Sequence, residues 1–249
     1  MLKKAPRIHV AADFIVGGDV VLPEGPARHV ARVLRLGEGA PLCLFDGSGR
    51  EASAVLVEAG RKRVVARIQS VATGQGESPL TVHLGQAISK GDRMDYAIQK
   101  AVELGVAAIT PLYTEHGDVR LRGEREAKKL AHWRAVAISA CEQCGRARVP
   151  PVHLPMALAD WLAERDEALR LVLHPATDSQ PQAQALVERE AVPASVALVI
   201  GPEGGLAEAE VEAARARGFA PLSLGPRILR TETAPVVALS LLQHRFGDL

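Results

Sequence analysis

The chain has no asparagine, three cysteines and, over 249 residues, only 3% aromatic side chains. Cys43, Cys141 and Cys144 are odd in number and lack framework spacing, which argues against a disulfide-stapled secreted scaffold and suits a reducing compartment. No apolar run reaches membrane-spanning length, and the opening "MLKKAPRIHV" lacks the long apolar stretch of a signal peptide. A soluble cytoplasmic protein without a membrane partner is therefore expected. The eight histidines show no H-E-x-x-H spacing, and no G-x-S-x-G elbow occurs, which disfavours metalloprotease and serine hydrolase chemistry. The missing asparagine is as compatible with GC-rich codon usage as with heat adaptation.

What is present is an ample core, with 47% hydrophobic residues, and a net charge of +1 that argues for no particular partner. The charge distribution says more. Residues 1–72 carry 11 Lys and Arg against 7 Asp and Glu, whereas the remainder carries 19 against 22. A basic front end is a weak nucleic-acid signal. The small, polar stretch "TGQGESP" predicts a linker over 73–79, separating domains at 1–72 and 80–249. Before it, apolar runs flank Asp46-Gly47-Ser48-Gly49 as in a hairpin, and "RKRVVARIQSV" reads as a further strand. "ARHVARVLRL" fits a short helix with Val30, Val33, Leu34 and Leu36 inward and Arg28, Arg32 and Arg35 outward. A small β-barrel with one basic helix is expected there. Beyond the linker, "LTVHLGQAI", "VAAITPL", "LRLVLHP", "SVALVIG" and "FAPLSLG" alternate with helical segments, which predicts an α/β domain with a mainly parallel sheet.

Ligands of open parallel sheets bind beyond the carboxyl ends of the strands. Three such ends stand out: "LVLHPA", "LVIGPEGGL" and "LSLGPRILRTETA". Each alone reads equally well as a routine strand-to-helix turn; together they predict a shared site. Phosphate loops rely on bare amides, a lysine and a helix N-terminus. Here no lysine lies near either glycine turn, Glu203 would repel a pyrophosphate, and G-P-E-G-G is not G-x-G-x-x-G. A nicotinamide-dependent oxidoreductase is disfavoured on the same grounds. A ligand with apolar parts, hydrogen-bonding edges and a positive centre fits better, and S-adenosylmethionine is one. Glu203 reads equally as an acid favoured at a helix start by the macrodipole.

Five segments, "LVIGPEGGL", "LGPRILRTETA", "DYAIQKAVELGVAAITPL", "AISACEQCGRARVP" and "QHRFGDL", resemble in sequence and order the bacterial 16S ribosomal RNA uridine-N3 methyltransferases of the SPOUT superfamily. The likeness runs from about Arg7 to Leu249. It implies a PUA-like β-barrel followed by an α/β domain with a trefoil knot, a homodimer, and 16S rRNA as substrate, in the assembled small subunit. It also implies an S-adenosylmethionine pocket formed by Leu173, His174, Ile200, Gly201, Glu203, Gly204, Gly205, Leu224, Gly225, Ile228, Leu229, Arg230, Glu232 and Thr233.

Methylation at N3 of uracil requires loss of the imino proton, alignment of the reacting atoms and stabilisation of charge on the base. Arg230 is the candidate for the developing negative charge and Glu232 for the proton, with a structural ion pair as their alternative reading. Arg7 matches a basic position of the family's RNA-binding domain and is expected to touch RNA near the target base; plain solvated surface is the alternative. Arg28, Arg32, Arg61, Lys62 and Arg63 are candidates for phosphate contacts. Part of the family has a polar amide where Arg28 stands, so no base-specific role is assigned to it. Cys141 and Cys144 have no second ligand pair, so no metal is expected; packing or a dimer contact suits them better. The competing function is a catalytically silent RNA-binding or ribosome-assembly factor of the same fold, against which the intact "RILRTETA" argues.

Overall fold

A computed structural model describes residues 5–60, 63–174 and 191–249. The chain divides into two units: residues up to Glu77 together with Cys141–Val149, and Ser78–Ala140 together with Pro150–Leu249.

The first unit is built on a five-stranded sheet in the order β1-β3-β4-β5-β2. Its strands are β1 (Arg7–His9), β2 (Asp19–Val21), β3 (Pro41–Phe45), β4 (Arg50–Ala59) and β5 (Val64–Thr73). The β3–β4 hairpin turns where Asp46 and its glycines stand. The Asp46 carboxylate accepts hydrogen bonds from the Ser48 N–H at 2.8 Å and the Arg50 Nε at 2.8 Å, and Gly47 takes φ +83°. Period-2 alternation buries Ala52, Ala54 and Leu56 of β4 against Ile8, Leu42 and Leu44.

The basic helix departs from expectation. Helix α1 covers only Glu24–Arg28, and His29–Val33 follow with π winding, the Leu34 N–H donating to the His29 carbonyl at 2.9 Å. The wider turn breaks the 3.6-residue phase. Val30 is buried as predicted, but Val33 is rotated out and is 66% exposed.

The second unit holds a six-stranded, all-parallel sheet in the order β11-β9-β10-β6-β7-β8. Its strands are β6 (Thr81–Ala87), β7 (Ala108–Tyr113), β8 (Met156–Ala157), β9 (Leu169–Leu173), β10 (Ser195–Ile200) and β11 (Ala220–Leu222). β10 is buried along nearly its whole length, as expected of a strand covered on both faces. The described helices are α2 (Arg93–Glu103), α3 (Gly123–Cys144), α4 (Leu158–Ala163), α5 (Glu208–Ala216) and α6 (Ala234–Phe246); α3 passes from the second unit into the first. Helix α2 buries Met94, Ala97, Ile98, Ala101 and Val102, and Gly105 stops it at φ +77°. Pro235 lies in the first turn of α6, where its missing N–H costs nothing. Among the described residues no helix is long and apolar enough to cross a membrane.

Under the sheet, His83 of β6 packs edge-on against Trp161, and its Nε2 lies 2.9 Å from Thr110 Oγ1. Burial, reinforced by the charge of Arg165 and by His153, pushes the imidazole down to about 3. Glu167, 3.7 Å from Nδ1, does not offset this. An unfolded histidine titrates near ~6.5, so between that pH and about 3 the unfolded chain binds a proton that the folded chain does not. Stability is therefore full above pH 6.5 and falls as the pH drops toward 3. In urea titrations His83→Gln is expected to flatten the loss of stability between pH 6.5 and 4. His153, also lowered by burial, keeps its own share of that slope. A slope identical to the parent's would contradict this account.

Candidate active site

Strands β11, β9 and β10 lie side by side, so the turns that follow them open at one edge of the sheet. There they enclose a cavity of about 680 Å³, within the usual range for small-molecule sites. Of the residues expected to form a pocket, Leu173, His174, Ile200, Gly201, Glu203, Gly205, Leu224, Gly225, Ile228, Leu229, Arg230 and Glu232 line it. Gly204 and Thr233 do not. Gly204 faces the loop after β7, where a Cβ would come within 3.1 Å of His116 Cβ. Thr233 caps the start of α6 with its N–H bonded to the Arg230 carbonyl at 2.9 Å. Both residues belong to the turns that frame the cavity. Gly225 adopts φ +101°, which only glycine takes without strain, and so lets the chain fold back over the cavity.

Arg93, Ser223, Arg227 and Thr231 also line the cavity and were not among the expected pocket residues. The most informative is Arg93. It is the first residue of α2, a poor place for a cation on macrodipole grounds. Its Nη1 donates to Glu203 Oε1 at 2.7 Å. Burial raises the Glu203 carboxyl, but its own N–H, the Arg93 guanidinium and the Lys90 N–H outweigh that and hold it below the usual carboxylate range. The acid inside the glycine turn therefore anchors that turn to α2. Neither expected reading of Glu203 is complete: helix α5 begins later in the chain, and Glu208 and Glu210 occupy its first turn.

Beneath the cavity runs a buried polar chain. Thr231, 5% exposed, donates from Oγ1 to the Gly201 carbonyl at 2.8 Å and accepts from Gln86 Nε2 at 3.2 Å. Gln86 sits near the end of β6 and is fully buried. One hydroxyl thus ties the two glycine turns to a central strand. Beside it, Glu232 is half-buried, and its Oε2 is buried with no hydrogen-bond partner among the described residues. A buried carboxylate oxygen left without a donor is costly, and such orphans in clefts point to a functional group. Arg230 is exposed at the rim.

The model of an RNA methyltransferase domain matches residues 76–243, and that of an RNA methyltransferase PUA domain matches residues 22–69. The ribosomal RNA small subunit methyltransferase E of Buchnera aphidicola subsp. Acyrthosiphon pisum is 34% identical over 247 residues, covering 99% of this chain and 96% of its own. The chain belongs to the ribosomal RNA small subunit methyltransferase E family. Among solved structures, the family member from Neisseria gonorrhoeae bound to S-adenosylmethionine is 38% identical with a TM-score of 0.89, over 99% of this chain and all of its own. A Legionella pneumophila protein in complex with SAM is 43% identical with a TM-score of 0.92, again over 99% and 100% of the two chains.

The sequence also raised expectations of an RNA-binding face. Arg28 and Arg32 are exposed, and Arg63 pairs with Glu58 at 3.0 Å; Arg61 and Lys62 lie outside the described residues. Arg7 is largely enclosed. Its side chain is 11% exposed, its Nη1 donates to Glu51 Oε2 at 2.8 Å, and its Nη2 donates to the Arg146 carbonyl at 3.2 Å. The guanidinium also stands 5.2 Å from the Phe45 ring centroid. So enclosed, Arg7 ties β1 to β4 and to the Arg146 segment of the first unit. Cys141 is fully buried, with burial pushing its thiol up to about 12, and its Sγ–H donates to the Arg148 carbonyl. It is a packing residue.

Proposed function

We propose that this chain transfers a methyl group from S-adenosylmethionine to N3 of a uridine in 16S rRNA, acting as a cytoplasmic homodimer on the assembled small subunit. Family membership supports the donor and the ribosomal RNA. The cavity suits the donor: Leu173, Ile200, Leu224 and Leu229 offer apolar walls for an adenosine, and the glycine turns expose backbone hydrogen-bonding edges. Among the cavity's carboxylates, Glu203 is already neutralised by Arg93, whereas Glu232 keeps an unspent oxygen. That oxygen is the observation that carries the reading. When bound, S-adenosylmethionine supplies an electrophilic methyl group whose leaving group is a neutral thioether. Tyr96 on α2 and Leu241 on α6, both apolar and partly exposed, are candidate contacts of the homodimer.

The chain's own residues must bring N3 into line, take its proton and hold the charge left on the base. Glu232 Oε2 takes the proton. Arg230, exposed at the rim, donates to a uracil oxygen as negative charge develops there. Gly201 lets its turn close tightly, since a Cβ there would come within 3.1 Å of Leu206 Cγ, and Gly225 adds no side chain to the cavity wall.

The reading is tested by radiolabel transfer from S-adenosylmethionine to small ribosomal subunits, followed by mapping of the modified base. Label on no rRNA base, or at a position other than uridine N3, defeats it. Arg230→Ala is expected to slow turnover at least tenfold, about 1.4 kcal/mol, while donor affinity stays within twofold. Equal losses in turnover and donor binding would reduce Arg230 to a scaffold role.

A further inference from the structure

A second cavity, of about 450 Å³, opens at the carboxyl end of β7. Tyr113 and Thr114 at the strand end, Arg120 and Arg122 in the following loop, and Leu158 and Leu162 of α4 form its walls. The loop that carries the arginines is bound to the walls of the donor cavity. Asp118 pairs with Lys90, whose N–H holds Glu203, and His116 packs on Gly204.

Arg120 is held in place. Its Nη2 donates to the Thr114 carbonyl at 2.9 Å, and its guanidinium stands 5.8 Å from the Tyr113 ring centroid. Tyr113 is itself fixed, its hydroxyl within 3.0 Å of the Leu121 carbonyl and 2.8 Å of Glu126 Oε2. Around the donor cavity Lys90 and Arg93 are spent on carboxylates, but Arg120 and Arg122 form no ion pair among the described residues. Two acids complete the second cavity, Glu115 and Glu210. Glu210 is committed, its oxygens accepting from the N–H groups of Glu115 at 2.8 Å and Ala207 at 2.9 Å.

We propose that this cavity is a subsite for the RNA strand next to the methylated base, with Arg120 and Arg122 binding its phosphates. The inference rests on the RNA methylation reading and adds a second point of attachment on the methyltransferase unit itself. A guanidinium held in place with unspent donors, as that of Arg120 is, suits phosphate oxygens, and the exposed Arg122 adds a second charge beside it. A small free anion would meet Glu115 across the same cavity. A polynucleotide brings phosphate to the arginine side and a base edge, with its own donors, to the acid side. The Tyr113 ring and the leucine floor offer an apolar surface for that base.

The test compares the full-length parent with an Arg120→Ala/Arg122→Ala double variant, measuring binding to purified small ribosomal subunits across a salt series. The variant is expected to bind subunits about tenfold more weakly at low salt. Its log–log salt slope is expected to be shallower by about 1.4, the value for two single-strand phosphate contacts. S-adenosylmethionine affinity should be unchanged, which separates the subsite from damage to the donor cavity. Arg120→Lys keeps the charge and should retain the parent slope. A double variant that matches the parent in affinity and slope, or an Arg120→Lys variant whose slope is as shallow as the double variant's, overturns the proposal. A parent that methylates no ribosomal RNA defeats the underlying reading, and the subsite with it; a parent that methylates normally beside an unaffected variant defeats the subsite alone.

Discussion

Glu232→Gln is expected to lower the rate of methyl transfer by at least a hundredfold while S-adenosylmethionine binding changes no more than about threefold. The substitution keeps size and hydrogen-bonding reach but removes the ability to take a proton. General-base contributions run at ~10²–10⁴ in rate, which corresponds to roughly 3–5 kcal/mol of barrier. The Oε2 atom has no hydrogen-bond partner to lose among the described residues, so the amide disturbs little else there. Single-turnover transfer from labelled donor, beside calorimetric donor binding, separates the two effects. A Gln variant within fivefold of the parent rate would remove Glu232 from the chemistry and pass the proton to solvent.

Thr231→Val should act on the donor rather than on the chemical step. Valine fills the same space without a hydroxyl, so the Gly201 carbonyl loses its 2.8 Å donor and Gln86 Nε2 loses one of its two acceptors. Each buried polar group left unpaired costs about 1–3 kcal/mol. Part of that cost is relieved by movement of the glycine turn, which carries backbone edges of the cavity. Donor affinity is expected to fall by a factor of about 30, equivalent to ~2 kcal/mol, with kcat at saturating donor within threefold. Thr231→Ser should recover most of the loss because it restores the oxygen. A Val variant that binds the donor as tightly as the parent in calorimetry would show that the hydroxyl does not matter.

Much of this architecture could be read from the chain before its structure was considered. Strand–helix alternation after residue 80 is a short-range signal, and the continuous apolar character of "SVALVI" marked a strand buried on both faces. Gly105 ended α2 as expected because a positive φ there suits little else. The glycine turns also disclosed themselves, since adjacent parallel strands deliver their carboxyl ends to one place. What stayed hidden depends on partners distant in sequence. Nothing near Glu203 indicates that its charge is met by Arg93, 110 residues earlier. Gln86 looks like the polar end of a strand until Thr231 is brought beneath it. Arg7 matched a basic position, yet only the three-dimensional arrangement shows Glu51, Cys43 and Phe45 closing around it. Val33 was misassigned for a local reason: one π turn shifts the phase, and a 3.6-residue pattern carries no warning of that.

The first unit borrows Cys141–Val149 from far down the chain. Glu142 receives the His9 N–H at 3.0 Å, and Glu77 holds both Arg146, at 2.8 Å, and the Arg148 N–H, at 2.9 Å. Ala147 is fully buried in that unit, and its carbonyl accepts the Gly49 N–H at 3.2 Å. A polypeptide emerging from the ribosome thus cannot complete its first unit when residue 77 appears. It must wait for Cys141–Val149, which follow Ser78–Ala140 of the second unit. The order of synthesis and the order of folding are therefore interleaved.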